Sequence, residues 1–125
     1  MRPVEQQISA VGNGDCFRAC LESITEIDGV PNLIENEQWF TDTFVWLGEH
    51  GWEMYTRPKE RPPTGYAIGV LWSPTFEGER HAVVVHDGAL AWDPSPKRDE
   101  PDRTYGEWLY FVEVRPVRAA AGATS

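Results

Sequence analysis

A cysteine that follows directly on a Gly-Asn-Gly-Asp sequence constrains the fold of this chain more than any other feature. The two glycines permit a tight turn before Cys16, and Asn13 and Asp15 are candidate caps for a helix that starts there. Beyond the turn, apolar residues recur at helical spacing, at Cys16, Cys20, Ile24 and Ile27. The pattern predicts an amphipathic helix over residues 15–27, with Cys16 in its first turn.

The position of Cys16 favours a reactive thiol. In the first turn of a helix, free backbone N–H groups and the helix dipole stabilise a thiolate, which is the form that attacks a carbonyl carbon. A buried free cysteine is more often a small core hydrophobe. We expect that core role for Cys20, one turn further on the apolar face. For Cys16, this stretch alone leaves both roles open.

The acidic balance of the chain excludes some classes of partner. Its 125 residues carry 20 Asp and Glu against 11 Lys and Arg, a net charge of −9, whereas nucleic-acid binding needs a basic face. The same charge disfavours anionic membrane surfaces, and no apolar run approaches the length of a signal peptide or a membrane span. We therefore expect a cytoplasmic protein with a single domain over residues 1–118 and a disordered tail over residues 119–125.

Cysteine and histidine usage predicts neither a metal site nor a cofactor. The two cysteines are spaced i, i+4 on one predicted helix, and the three histidines are scattered along the chain. This spacing is poor for a disulfide, and a tetrahedral zinc site needs a second pair of ligands.

The rest of the chain divides into one helix, several strands and loops. A second helix is expected from residue 35 or 36 to residue 49, and residues 3–9 form either a short edge strand or an extended lead-in. Strands are predicted over residues 52–55, 66–72, 81–85, 89–93 and 108–114. A surface loop is predicted over residues 57–64 and a charged, solvated loop over residues 97–103. Helices followed by an antiparallel meander indicate an α+β fold with the helices on one sheet face.

An Asp-Gly turn joins two of these strands, and its length decides whether His81 meets Asp93. A two-residue loop puts these two side chains on opposite faces of the hairpin. A three-residue loop over residues 86–88 pairs Val85 with Ala89 and puts His81 opposite Asp93. Both loops are common for this sequence. We predict the three-residue loop and a His81–Asp93 hydrogen bond of about 2.7–3.2 Å.

Three segments together resemble the papain-like cysteine peptidase superfamily. They are Gly-Asp-Cys-Phe-Arg-Ala-Cys-Leu around Cys16, His-Ala-Val-Val-Val from His81, and Asp-Gly-Ala-Leu-Ala-Trp-Asp-Pro around Asp93. The pattern is most similar to small bacterial and phage proteins that resemble the double-glycine leader peptidases of bacterial export systems. The resemblance covers residues 12–94 and implies a papain-like fold, with the catalytic cysteine at the start of the first helix.

The resemblance also implies a triad in which Cys16 is the nucleophile, His81 the general base and Asp93 the residue that orients His81. The implied activity is that of a thiol hydrolase or acyl-transfer enzyme that cleaves a peptide or isopeptide bond in a protein or peptide substrate. The implied location is the cytoplasm, that of the bacterial host if a phage encodes the protein. Deamidation or transglutamination uses the same triad and remains an alternative.

The oxyanion hole is where the chain departs from the family pattern. The family places a Gln about six residues before the cysteine, where this chain has Ala10. Gln6, Gln7 and Asn13 are the alternative donors, and the resemblance does not choose among them. A member without a working oxyanion hole would be a degenerate binding protein, for example a phage protein that blocks a host factor.

Overall fold

The computed structural model of the chain describes residues 1–8, 14–34 and 36–117. Two helices pack on a five-stranded antiparallel sheet, which confirms the predicted α+β class. The elements in chain order are α1 (Cys16–Thr25), α2 (Trp39–Glu49), β1 (Trp52–Pro58), β2 (Tyr66–Trp72), β3 (Arg80–His86), β4 (Ala89–Trp92) and β5 (Trp108–Pro116). The predicted tail over residues 119–125 lies outside the described residues.

The strands lie in the order β1-β5-β2-β3-β4, and every neighbouring pair is antiparallel. The strand that comes last in the chain, β5, therefore lies between β1 and β2, so the predicted meander is wrong for the sheet as a whole and holds only for β2, β3 and β4. On the other side of β2, the strand β3 lies between β2 and β4, and β4 forms one edge of the sheet.

Side chains alternate between the two faces of the sheet along each strand. Both faces carry buried side chains. One face packs against the helices and contributes residues such as Ile68, Val84 and Val112 to a core with Cys20 and Leu21. The opposite face holds a smaller core of Ala67, Leu71, Val83, Val85 and Phe111, covered by Tyr105 and Trp108. The sheet thus separates the helix layer from the segment that connects β4 to β5.

Trp108 packs tightly over the backbone of β2 at Gly69. A Cβ atom added at Gly69 would lie 2.5 Å from the Trp108 ring, which is far inside van der Waals contact. Glycine is therefore required here for the close approach of an aromatic ring rather than for an unusual backbone angle.

The first helix ends earlier than predicted. It stops at Thr25 rather than at residue 27, because Glu26 adopts a left-handed conformation with φ of 60°. The Thr25 hydroxyl then accepts a hydrogen bond from the Ile27 N–H.

The second helix begins later than predicted, at Trp39 instead of residue 35 or 36. The Asn36 side chain accepts from the Gln38 N–H at 3.0 Å, and the Asn36 carbonyl accepts from the Trp39 N–H at 2.9 Å. These bonds form a turn that competes with helix, a common use of asparagine. The predicted end at Glu49 is confirmed.

Strand β2 has the predicted bounds, whereas β1 and β5 extend further than expected. The predicted loop over residues 57–64 therefore starts too early. Pro58 is the last residue of β1, which is an edge strand, and edge strands are where a sheet tolerates proline. Residues 3–8 form no strand, so the extended lead-in is the correct alternative for this part; residue 9 lies outside the described residues.

The predicted three-residue hairpin loop is wrong. His86 pairs with Ala89, so the loop has two residues, Asp87 and Gly88, with φ of 52° and 83°. Two successive positive φ angles match a type I′ turn, which fits the twist of a hairpin.

A β-bulge in β4 puts His81 and Asp93 on the same face of the hairpin, an arrangement that was expected from a three-residue loop. Val85 pairs with Leu90 but Val84 pairs with Trp92, so Ala91 is an extra residue on β4. A bulge shifts the register by one residue. As a result, the predicted bond between His81 and Asp93 is present at 2.7 Å.

Candidate active site

Cys16 is the first residue of α1, as predicted. The carbonyl of Asp15 accepts a hydrogen bond of 3.0 Å from the Ala19 N–H, which begins the helical pattern. The Cys16 thiol is partly exposed, and its sulfur accepts from the Ala82 N–H at 3.4 Å. Because β4 pairs with β3 only as far as Val84, the start of β3 remains available to α1.

The Asp15 carboxylate does not cap its own helix, which corrects the sequence-based expectation. It accepts hydrogen bonds instead from the N–H groups of Gln7 and Ile8 and from the Arg18 guanidinium. Arg18 in turn binds Glu22 at 2.8 Å. We call Asp15, Arg18 and Glu22 the Asp15 cluster. It fixes the N-terminal segment beside the start of α1, whereas Asn13, the other candidate cap, lies outside the described residues.

His81 lies near the start of β3 and is 7 % exposed. Its Nε2 lies 2.7 Å from Oδ1 of Asp93. If Nε2 donates to this carboxylate, Nδ1 is the ring nitrogen that remains for Cys16. His81 and Cys16 line one cleft, and Cys16 contributes to raising the pKa of the ring.

Asp93 follows directly on β4 and is 4 % exposed. Its Oδ1 accepts from His81 and from the Ser95 N–H, at 2.7 and 2.9 Å. Its Oδ2 accepts from Arg103 Nε at 2.9 Å and from the Tyr105 hydroxyl at 2.6 Å. We call these five residues the Asp93 cluster.

Two opposing effects set the protonation of His81. Burial disfavours the charged imidazolium and would lower its pKa, but the hydrogen bond with Asp93 and the interaction with Cys16 outweigh burial and raise the pKa to about 9. Burial likewise favours the neutral form of Asp93, but the bonds from His81 and Tyr105 bring its pKa well below the usual range. The pair is therefore an imidazolium and a carboxylate at neutral pH.

Cys20 has the core role that the sequence predicted. It is fully buried, and burial raises the pKa of its thiol well above the ordinary value, with further contributions from the nearby Cys16 and Asp93. Cys20 therefore stays protonated and unreactive, although it is only one turn from Cys16.

The oxyanion candidates differ in where they lie. Gln6 is buried and lines the same cleft as Cys16, and its backbone N–H donates to the Pro94 carbonyl at 2.9 Å. Its Nε2 donates to the Ile8 carbonyl, while its Oε1 has no hydrogen-bond partner among the described residues. Gln7 is exposed and does not line the cleft, and Asn13 lies outside the described residues. Of the three, only Gln6 is shown near Cys16.

A cleft of about 460 Å³ opens beside Cys16 and His81. Polar groups from Gln6, Ser95 and Thr75 line parts of it, and Glu79 and Arg80 contribute charges. Its remaining walls are mainly apolar and include five aromatic side chains, those of Phe17, Trp39, Trp72, Phe76 and Tyr110. This volume and lining suit an organic ligand or a peptide side chain.

Comparison with protein-family models, with curated proteins and with solved structures gave no match. The resemblance to papain-like peptidases therefore stays a prediction from the sequence. Within the described ranges, no three His, Cys, Asp or Glu side chains are grouped to hold a metal ion. Nor is any described helix both long and apolar enough to cross a membrane.

Sequence reasoning missed three groups that surround the candidate triad. Arg103 was assigned to a solvated loop, yet its side chain is only 4 % exposed. Tyr105 was not singled out, and the Ala82 N–H contact with Cys16 is a backbone feature that no motif reports. The sequence signal for the Arg103 contact was weak. The charged segment over residues 97–103 contains an arginine, and an arginine can pair with a buried carboxylate.

Proposed function

We propose that this protein is a papain-like cysteine hydrolase or acyl-transfer enzyme with Cys16, His81 and Asp93 as its triad. The observation that carries the proposal is the bond of 2.7 Å between His81 and Asp93, together with a thiol at a helix start, where Cys16 and His81 both line an open cleft. A nucleophile, a base and a group that orients the base are the three parts that this chemistry requires.

In the first step His81 holds the proton of Cys16, and the sulfur attacks the carbonyl carbon of the substrate. A C–S bond forms, and the carbonyl oxygen becomes an oxyanion. The Ala82 N–H, 3.4 Å from the sulfur, stabilises the thiolate before attack. Asp93 keeps the imidazolium oriented throughout this step.

The oxyanion needs donors that point at it from the start. The backbone N–H of Cys16 is one of the free N–H groups of a helix N-terminus. The Gln6 amide lines the cleft and supplies a second N–H, since only one of its two is used by the Ile8 carbonyl. Loss of one such donor typically costs about 10²–10³ in turnover.

In the second step His81 returns its proton to the leaving group. The bond from the carbonyl carbon to the leaving nitrogen breaks, and a thioester joins the acyl group to Cys16. Water, deprotonated by His81, then attacks the thioester, releases the acid and regenerates the thiol. An amine in place of water would give the transfer reaction.

The substrate that fits this cleft is a protein or peptide with an apolar side chain near the reacting carbonyl. The five aromatic side chains that line the cleft provide the matching surface.

The proposal is tested by labelling with peptidyl acyloxymethyl ketones, followed by intact-mass measurement and peptide mapping. We expect one adduct per chain, on Cys16, and at least about 100-fold slower labelling in His81→Gln, because general-base assistance is typically worth 10²–10⁴. His86→Gln is the matched control, because His86 is an exposed histidine on the same strand.

Labelling on Cys20, or equal rates in His81→Gln and the parent protein, would overturn the triad. The degenerate binding protein would then be the better hypothesis. For a protein that labels as expected, a peptide-library digest with and without added hydroxylamine tests for the thioester, since hydroxylamine converts it to a hydroxamate. The products formed with and without an added amine acceptor, an amide or the free acid, then separate transfer from hydrolysis.

A further inference from the structure

We propose that Arg103 and Tyr105 are positioning residues for this triad, and that Arg103 connects Asp93 to the cleft through Thr75. The inference rests on the proposed function, because positioning has meaning only if His81 acts as the base. It begins from a buried arginine in a segment whose sequence predicts a solvated loop.

The four acceptor sites of Asp93 match four donors. A carboxylate has about four lone-pair positions. His81, Ser95, Arg103 and Tyr105 each supply one donor, at distances between 2.6 and 2.9 Å. The carboxylate has no acceptor site left for water, and both its position and its rotation are fixed by these partners.

Burial of Arg103 is costly unless the charge is paired. Its side chain is 4 % exposed, and taking a guanidinium out of water costs several kcal/mol before pairing. The pair with Asp93 at 2.9 Å provides the compensating charge. A loop arginine with a purely structural role could have remained in solvent.

The other end of the guanidinium reaches the cleft. Arg103 Nη1 donates to the hydroxyl oxygen of Thr75 at 2.9 Å, and Thr75 lines the cleft together with Ser73 and Phe76. One rigid, planar group therefore spans from Asp93 to a segment that a bound substrate would contact. A shift of that segment on binding changes the geometry at Asp93.

Arg103 also affects the base through charge. The groups that face His81 are Asp93 and Cys16, and the groups that face Asp93 are His81, Arg103 and Tyr105. Because Arg103 draws on the same carboxylate as His81, it limits how strongly Asp93 stabilises the imidazolium. The imidazole thereby releases its proton more readily to a leaving group than it would with Asp93 alone.

The test is an NMR titration of the His81 ring in the full chain, with the signal assigned by its loss in His81→Gln. In Arg103→Met we expect the titration midpoint to move up by about 1 pH unit, because Asp93 loses its competing cation. Arg103→Lys restores the charge and should return most of the shift. A purely structural arginine would lower the melting temperature and leave the midpoint unchanged.

Tyr105→Phe is a second test of the proposal, which can be used even if Arg103→Met does not fold. It keeps the ring that packs beneath the sheet and removes only the hydroxyl donor to Asp93. We expect an upward shift of about 0.5 pH unit. A midpoint within about 0.2 pH unit of the parent protein in Tyr105→Phe, with Arg103→Met unfolded or unshifted, would overturn the positioning role.

Thr75→Val and Thr75→Ser form the matched pair for the connection to the cleft. Thr75→Val removes the hydroxyl acceptor of Arg103 at nearly constant volume, whereas Thr75→Ser keeps it. We expect Thr75→Val alone to shift the His81 midpoint, by about 0.3 pH unit. Equal midpoints in the two variants would overturn the connection.

These titrations need no substrate, so the two proposals fail separately. A protein that shows the shifts but does not label at Cys16 has the positioning residues and lacks the proposed activity. A protein that labels at Cys16 and shows no shifts has the activity without this role for Arg103.

Discussion

Two buried carboxylates lie beside the cleft, and they are built on similar plans. Asp15 and Asp93 are 2 % and 4 % exposed. Each accepts backbone N–H groups, and each binds an arginine within 3.0 Å. Burial of both is possible for the same reason, because every charge has a partner and every lone pair a donor.

The difference between the clusters lies in their charge balance. In the Asp15 cluster a single cation, Arg18, serves two carboxylates, those of Asp15 and Glu22. In the Asp93 cluster a single carboxylate serves Arg103 and an imidazole. The first arrangement consists of two carboxylates and a guanidinium, whereas the second also contains a histidine, His81.

Whether a buried ion pair is a candidate for chemistry therefore depends on the third group that binds to it, which is Glu22 in the first cluster and His81 in the second. Removal of Asp15 leaves the Arg18–Glu22 pair intact. Removal of Asp93 leaves Arg103 and His81 as two unpaired groups in a buried place. Four experiments test this contrast, in order of decreasing effect.

The largest contrast should appear in stability. We expect Asp93→Ala to lower the free energy of unfolding by about 3–5 kcal/mol, the usual cost of leaving a buried charge without its partner. Asp15→Ala should cost about 1–3 kcal/mol, because lost hydrogen bonds dominate and Arg18 keeps Glu22. Urea denaturation of both variants at neutral pH gives the two values, and a larger loss for Asp15→Ala would reverse our ranking.

The second contrast concerns pH. His81 has a pKa raised from 6.5 to about 9 in the folded protein. Its stabilising contribution is complete below pH 6.5 and is lost as the pH rises through 9, up to about 3 kcal/mol. Urea denaturation across this range should show the loss in the parent protein and in Asp15→Asn. The loss should be absent in His81→Gln, and a persisting slope there would assign the effect to another group.

A smaller effect is expected on the reactivity of Cys16. Asp93→Asn removes the charge that holds the imidazolium, so alkylation of Cys16 by iodoacetamide near neutral pH should slow about tenfold, or about 1.4 kcal/mol. Asp15→Asn should change the rate less than twofold. Peptide mapping after limited alkylation measures both, and similar slowing in the two variants would remove the distinction between the clusters.

The smallest loss of stability is expected for an exposed ion pair, which serves as the reference for the buried ones. Arg57 pairs with Glu113 at 3.0 Å on the surface, where the arginine side chain is 37 % exposed. Arg57→Met should cost less than about 1 kcal/mol, because water screens the pair. A loss as large as that of Asp93→Ala would show that burial does not explain the contrast.

The sequence predicted the elements that local patterns encode. Strand β2 has its predicted bounds, α2 ends where expected, and Cys16 starts α1 because the turn before it and the apolar periodicity after it are local signals. The hydrogen bond between His81 and Asp93 was also predicted correctly. The predicted three-residue loop over residues 86–88, which was expected to align the two side chains, was wrong.

The bulge at Ala91 could not be read from the sequence, for a physical reason. The register of a strand is specified by which side chains it buries, and the first three residues of β4 are two alanines and a leucine that are all exposed at a sheet edge. The Arg103–Asp93 contact joins a loop to a strand end through side chains alone, so no periodicity marks it. Gln6 reaches the cleft through the bonds of its neighbours to Asp15, which are equally invisible locally.

The position of β5 has a consequence for synthesis on the ribosome. This strand follows all the others in the chain but lies between β1 and β2. While residues 108–116 are still inside the ribosome, β1 and β2 each have an unpaired edge. The two cores then lack Phe111 and Val112. The sheet that carries His81 is completed only when β5 inserts, so the nascent chain has an incomplete sheet until nearly all of the described residues have emerged.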